Sequence, residues 1–360
     1  RFHDSIISYR DLVIRYTLQW RTPMSAYTVA INAFAFVLVP VAIILAAHGM
    51  RPAVVVSDLV LYVVIAPVIA ANVMKAMYLN QNLFMANEAV DRLEKLTSTA
   101  PLPDSRTPEK PHSADVCLHD VSFRYDGAAK DTLSHVSLTI EEGRTVALVG
   151  ASGSGKTTIA RLIPRFWDVR EGSVTIGGTD VRKMDKAELM HSVSFVFQNA
   201  RLFKTTILEN VRYGCPGATI SEVNRAIDLS QSREIISRLP QGLNTLIGSE
   251  GTYLSGGEQQ RIVLARAILK NAPIVVLDEA TAFADPENEH LIRQALAHLT
   301  RGKTVLMIAH RLTTVQGADN IVVVDNGSIA EQGTHTQLMA RGGLYYKMWN
   351  EYQKAAAWKI

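Results

Sequence analysis

Cysteine is nearly missing from these 360 residues: Cys117 and Cys215 are the only two. Two isolated thiols exclude a disulfide scaffold and a cysteine-rich metal site, and they read as reduced cytosolic thiols. An excess of one charge sign is missing too. The 37 basic and 34 acidic residues leave a formal net charge of +3, too small and too spread out to indicate nucleic acid, so no nucleic-acid partner is expected. Glycine and proline show no collagen-like period, and a hydrophobic content of 48% excludes intrinsic disorder. The chain opens at Arg1 with neither an initiator methionine nor a signal peptide, which reads as a sequence starting inside a longer protein. Its length suggests two or three domains.

The apolar residues are unevenly placed. Residues 27–47 carry no charge, and residues 53–73 carry only Asp58, near their start. A run of about 20 apolar residues spans a bilayer as a helix. Residues 48–52 are too few to hold a domain, so the expectation is an all-α transmembrane hairpin within residues 1–96. Arg1, Arg10, Arg15 and Arg21 precede the first span, Lys75, Arg92 and Lys95 follow the second, and the tip offers only Arg51. Cationic flanks stay on the cytoplasmic side, so both ends face the cytoplasm of an inner (cytoplasmic) membrane. Asp58 has two readings, an outer interfacial position or the wall of a substrate cavity. Asn32 and Asn72 read as helix–helix hydrogen-bonders, and Pro40 and Pro67 as kinks. A single hairpin does not enclose a path for a polar solute; further helices must come from elsewhere.

Residues 97–114 include Pro101, Pro103, Pro108 and Pro111 and read as a semi-rigid linker. Residues 115–360 form the second domain. Strand patterns at 116–124 and 133–140 precede a short apolar run at 145–149. That run leads into Gly150-Ala151-Ser152-Gly153-Ser154-Gly155-Lys156-Thr157-Thr158, the pattern GxxxxGK[ST] between a strand and a helix. Glycines let backbone N–H groups turn around phosphate, and the following helix aims its positive end at the same anion. Lys156 reaches the β- and γ-phosphates, and the Thr157 hydroxyl suits Mg²⁺.

Downstream, the apolar run 274–277 ends in Asp278-Glu279. An acid at a strand tip beside a phosphate loop is the expected Mg²⁺ partner, and the second acid is placed to polarise water. Between these motifs lies Leu254-Ser-Gly-Gly-Glu-Gln-Gln-Arg261. Ser255 is a good N-cap, and Gly256 and Gly257 free the N–H groups of the helix that follows: a second anion site.

With that octapeptide the chain resembles the ATPase domain of ABC transporters, from about residue 115 to its end. The hairpin resembles the last two membrane helices of an exporter-type half-transporter. The resemblance implies an α/β P-loop NTPase with a helical subdomain, binding ATP and Mg²⁺. It implies that Tyr125 stacks on adenine and that Gln198 touches Mg²⁺ and senses the membrane domain. It further implies that His310 contacts the γ-phosphate and that Asp285 lies in the loop crossing a dimer interface. In this family two ATPase domains close head to tail, each ATP lying between one phosphate loop and the partner's LSGGE segment. A second half-transporter, identical or different, is therefore implied, together with a lipid membrane and a small-molecule substrate. Residues 280–289, Ala-Thr-Ala-Phe-Ala-Asp-Pro-Glu-Asn-Glu, depart from the common exporter wording. They resemble a branch with yersiniabactin-type and mycobactin-type siderophore transporters, which points to a ferric siderophore; the rival expectation is export of lipids, peptides or drugs.

Overall fold

The computed structural model describes residues 2–98, 101–198, 201–248, 253–278, 286–309 and 312–357. They fall into two compact units, Arg1–Pro101 and Leu102–Ile360.

The first unit is a pair of 46-residue helices, α1 (Phe2–Ala47) and α2 (Pro52–Thr97). At about 1.5 Å per residue each is about 69 Å long, more than twice the roughly 30 Å hydrocarbon core of a bilayer. The reversal between them uses Gly49 at φ 93°, a left-handed conformation that glycine adopts without strain, and Pro52 opens α2 where no N–H is needed. Pro40 and Pro67 lie inside the helices. One stretch of the described residues, Pro52–Ala76, is long and apolar enough to cross a membrane, and Val37–Ala47 forms a shorter apolar stretch. The side chains at 30–36, within the first expected span, lie outside the described set. Ile43, Ile44, Val56, Val60, Val63 and Val64 are each more than half exposed within this unit. Such a surface suits lipid or neighbouring helices rather than water.

In the second unit, β1 (Val116–Phe123) and β2 (Leu133–Ile140) pair antiparallel, and β3 (Thr145–Val149) leads through the phosphate loop into α3 (Lys156–Leu162). Then follow β4 (Glu171–Ile176), β5 (Thr179–Asp180), α4 (Lys186–Ser192) and β6 (Val193–Val196). A helical section holds α5 (Ile207–Arg212), α6 (Ile220–Leu229), α7 (Arg233–Arg238) and α8 (Gly256–Lys270). The chain closes with β7 (Ile274–Asp278), α9 (Pro286–Thr300), β8 (Thr304–Ile308), β9 (Asn320–Asp325), β10 (Ser328–Gly333), α10 (His335–Arg341) and α11 (Leu344–Ala357).

Two sheets result. The four-stranded one has order β2-β1-β4-β5; the six-stranded one has order β10-β9-β3-β8-β7-β6 and is parallel except at β10. The parallel strands are apolar on both faces because both are covered, as the period of two requires. Val146 and Leu148 of β3 join the core toward the antiparallel sheet, while Ala147 and Val149 face α10 and α11. Ile274 and Val276 of β7 share the first core, and Val275 and Leu277 pack with α8 and α9. The helical section has its own core around Ile207, Val223, Ile235 and Ile262.

The proline-rich segment is tied down from Leu102 onward. The Leu102 carbonyl accepts from Lys186 Nζ at 3.0 Å, that of Pro103 from Arg165 Nη2 at 2.9 Å, and that of Lys110 from Thr179 Oγ1 at 3.1 Å. Arg165, its side chain 3% exposed, also forms a two-pronged ion pair with Asp168.

Candidate functional site

β3 lies between β8 and β9 in the six-stranded sheet, so the loop after β3 emerges at the C-terminal edge of the parallel strands, where open α/β sheets place ligands. Gly150, Gly153 and Gly155 take φ values of 148°, 79° and 108°. Space is as restrictive as angle at two of them. A Cβ on Gly150 would stand 2.1 Å from the Val324 carbonyl oxygen, and one on Gly155 would stand 2.6 Å from Leu133 Cδ2. The β9–β10 turn holds the loop from outside, Gly327 N–H donating to the Ser154 carbonyl at 3.0 Å.

Lys156 is buried. Its Nζ donates to the carbonyls of Gly150 and Ala151 at 2.9 and 2.7 Å and lies 3.4 Å from Ser154 Oγ. The loop thus curls around its own lysine. Thr157 Oγ1 donates to Asp278 Oδ1 at 3.4 Å, which joins two motifs 121 residues apart. Asp278 is buried at the end of β7, whose neighbour β8 separates it from β3. A hydroxyl and a carboxylate are hard oxygen donors suited to Mg²⁺, which keeps waters and takes the rest of its ligands from phosphates. Among the described residues no three His, Cys, Asp or Glu side chains cluster to hold a metal.

A cavity of about 320 Å³ opens over the loop, lined by Ser152, Gly153, Gly155, Lys156, Thr157 and Thr158 together with Gln198 and Thr132. Gln198 is exposed and follows β6 by two residues. Thr132, just before β2, carries no motif that sequence reasoning could have used. Tyr125 stands beside the cavity rather than in its lining. Its hydroxyl shares a 3.1 Å hydrogen bond with Thr158 Oγ1, and its ring meets Phe123 and Trp167 edge-on at centroid distances of 4.8 and 5.2 Å. Glu279, Asp285 and His310 lie outside the described residues.

Ser255, Gly256 and Gly257 are placed elsewhere, at the N-terminus of α8. Ser255 caps that helix reciprocally with Glu258: the Ser255 amide donates to Glu258 Oε2 at 2.8 Å, and the Glu258 amide donates to Ser255 Oγ at 3.3 Å. Arg238 also donates to Glu258. Burial pushes the Glu258 carboxyl up, but these contacts outweigh it and hold it below the ordinary glutamate value. Ser255 and Gly256 are exposed, and none of the three glycine-segment residues lines the cavity over the phosphate loop. At the other end of α8, Lys270 Nζ donates to the Val193 carbonyl at 2.8 Å, fixing the helix to the start of β6, the strand that leads to Gln198.

Residues 133–282 match the family model described as ABC transporter. The ATP-dependent lipid A-core flippase of Vibrio cholerae is 47% identical over 237 residues, 66% of this chain and 41% of that protein. The flippase of the same name from Aromatoleum aromaticum is 39% identical over 295 residues, 81% of this chain and 49% of that protein. The mycobactin import ATP-binding/permease protein IrtA of Mycobacterium tuberculosis is 47% identical over 240 residues, 67% of this chain and 28% of that protein. The chain thus spans less than half the length of each of these relatives.

Proposed function

We propose, from the premise that the second unit of this chain is an ABC transporter ATPase domain, that the chain works as part of a half-transporter in which ATP hydrolysis drives a solute across a membrane. The observation that carries this reading is the meeting of Lys156, Thr157 and Gln198 around one cavity, with Asp278 bonded to Thr157 behind it, in a chain that also bears the apolar helix stretch Pro52–Ala76. The phosphate loop and Lys156 bind the β- and γ-phosphates; Thr157 and Asp278 would hold Mg²⁺, which when bound would supply positive charge against the phosphates. Glu279 polarises the attacking water, and His310 contacts the γ-phosphate. Gln198 reports the state of the nucleotide to the membrane unit.

The exposed Ser255–Gly256 end of α8 supports a two-chain site. It is capped by Glu258, and it does not line its own chain's cavity. A second half-transporter, with Asp285 at the shared interface, brings its ATP to this end, so closure depends on nucleotide. The ATPase unit faces the cytoplasm.

For the cargo, a lipid amphiphile is the first reading. The Aromatoleum flippase match covers 295 residues, more than the unit Leu102–Ile360 holds, so the similarity to a lipid transporter extends into the first unit. A ferric siderophore is the second reading, supported by the wording of residues 280–289 and by the 47% identity to the mycobactin importer. The test uses the full-length protein with its partner half in lipid vesicles. ATP turnover should rise with the cargo and vanish in Glu279→Gln while ATP binding persists. Turnover that persists in Glu279→Gln would overturn the hydrolytic assignment. Stimulation by ferric siderophores, and none by lipid A–core, would replace the first cargo reading with the second.

A further inference from the structure

A second cavity, of about 380 Å³, lies at the opposite end of the parallel sheet from the phosphate loop. Asn271, which lines it, precedes β7, and Lys303 immediately precedes β8; the other end of β7 is Asp278. Five-residue strands put roughly 16 Å between the two ends. The volume is that of a small-molecule site.

Its rim is cationic. Arg225 comes from α6, while Arg301 and Lys303 come from the turn between α9 and β8. An arginine fork and a lysine ammonium are donor-only groups, and among the described residues none of these three side chains makes a hydrogen bond or ion pair. The cavity's one acid, Glu222, is engaged: its carboxylate accepts from the Thr219 amide at 2.7 Å and the Thr219 hydroxyl at 2.8 Å to cap α6. The C-terminal ends of α8 and α9 favour cations nearby, which accounts for their tolerance here and leaves their donors unspent. Burial pushes the Lys303 amine below the usual lysine range, the cost that a bound anion would remove. Behind the cations the wall is apolar, formed by Ala226, Leu229, Ile268 and Leu299.

We infer that this cavity binds a small phosphorylated organic molecule, its phosphate held by Arg225, Arg301 and Lys303 and its carbon skeleton against the apolar wall. Inorganic phosphate would leave that wall unused, and a nucleotide already has its own site across the sheet.

The probe is glycerol 3-phosphate, titrated calorimetrically into the full chain in detergent, with the phosphate loop saturated by a non-hydrolysable Mg–ATP analogue. Saturable binding that weakens with salt is expected. Arg301→Gln combined with Lys303→Gln should weaken it about tenfold or more. The charge-preserving pair Arg301→Lys with Lys303→Arg should lose clearly less than the Gln pair, because the charge stays even where the arginine fork is lost, which separates lost charge from lost fold. Absence of saturable binding, equal affinity in the Gln pair, or equal losses in the Gln pair and the charge-preserving pair would each overturn the assignment. Binding of phosphatidylglycerol vesicles without binding of glycerol 3-phosphate would overturn the soluble-ligand reading in favour of a lipid headgroup.

Discussion

Replacing Tyr125 separates two contributions, of which the sequence reading assigns only the ring's. A ring stacked on adenine is worth about 1–3 kcal/mol, and the phenol oxygen would be idle in that role. In the structure the hydroxyl is engaged, sharing a 3.1 Å hydrogen bond with Thr158 Oγ1 on the helix that follows the phosphate loop. Thr158 is 6% exposed, so deleting the phenol oxygen leaves a nearly buried hydroxyl without that partner. A net cost of about 1 kcal/mol is expected, or roughly fivefold in affinity where the bond sets the loop for nucleotide. Tyr125→Ala loses the hydrogen bond, the stack and the edge-on contacts to Phe123 and Trp167, each of those contacts worth about 0.5–1.5 kcal/mol. Titration of a non-hydrolysable ATP analogue should therefore rank wild type above Tyr125→Phe and Tyr125→Phe above Tyr125→Ala. The Ala variant should be weaker than the Phe variant by about tenfold. Thr158→Val should match the loss in Tyr125→Phe, and combining the two should add little, because both break one bond. Equal losses for Phe and Ala would refute the stacking role. Full additivity of Phe with Val would refute the hydroxyl pair.

Lys156→Ala should weaken ATP binding at least tenfold, since it removes the one buried ammonium in the phosphate loop; unchanged affinity in a titration would contradict the loop's role. Gly150→Ala forces a Cβ to within 2.1 Å of the Val324 carbonyl and should destabilise the chain by about 2–3 kcal/mol, read as a lowered melting temperature; an unchanged melt would mean that β9 yields freely. Glu258→Gln keeps the acceptor for Ser255 and loses the charge facing Arg238. Because the folded carboxyl lies below its ordinary value of 4.5, its stabilisation is present above that value and is lost as pH falls through the folded one. The melting difference between wild type and Glu258→Gln should therefore be present at neutral pH and close in acid, and a difference independent of pH would remove the ion pair from the explanation.

Much of the site was legible because its elements are contiguous. Residues 150–158 specify a loop through glycine spacing alone, and positive φ at Gly150, Gly153 and Gly155 is what that spacing requires. Ser255 reads as an N-cap from sequence, and the structure adds the reciprocal contact from Glu258 that completes a capping box. Thr132 was illegible: it lines the cavity only because β2 begins beneath the loop. Tyr125 was half legible. Its place after the first strand was plain, but its bond to Thr158 depends on how two sheets pack. The proline-rich segment could be read as stiff and extended, yet its attachment to Arg165, Thr179 and Lys186 involves partners more than sixty residues away.

The sequence by itself determined what is periodic or local: two apolar runs of membrane-spanning length, which lie within the longer helices α1 and α2, a phosphate loop between strand and helix, and a capped α8. These follow from backbone geometry and from the burial of one face or both, which need no distant partner. Only the tertiary structure decided what meets what. It set Thr157 against Asp278 across an intervening strand and turned Lys156 into its own loop. It kept the Ser255 end of α8 off the phosphate-loop cavity, and it gathered Arg225, Arg301 and Lys303 around a second one. Such meetings depend on strand order and on the packing of separate cores, which residue spacing along the chain does not encode.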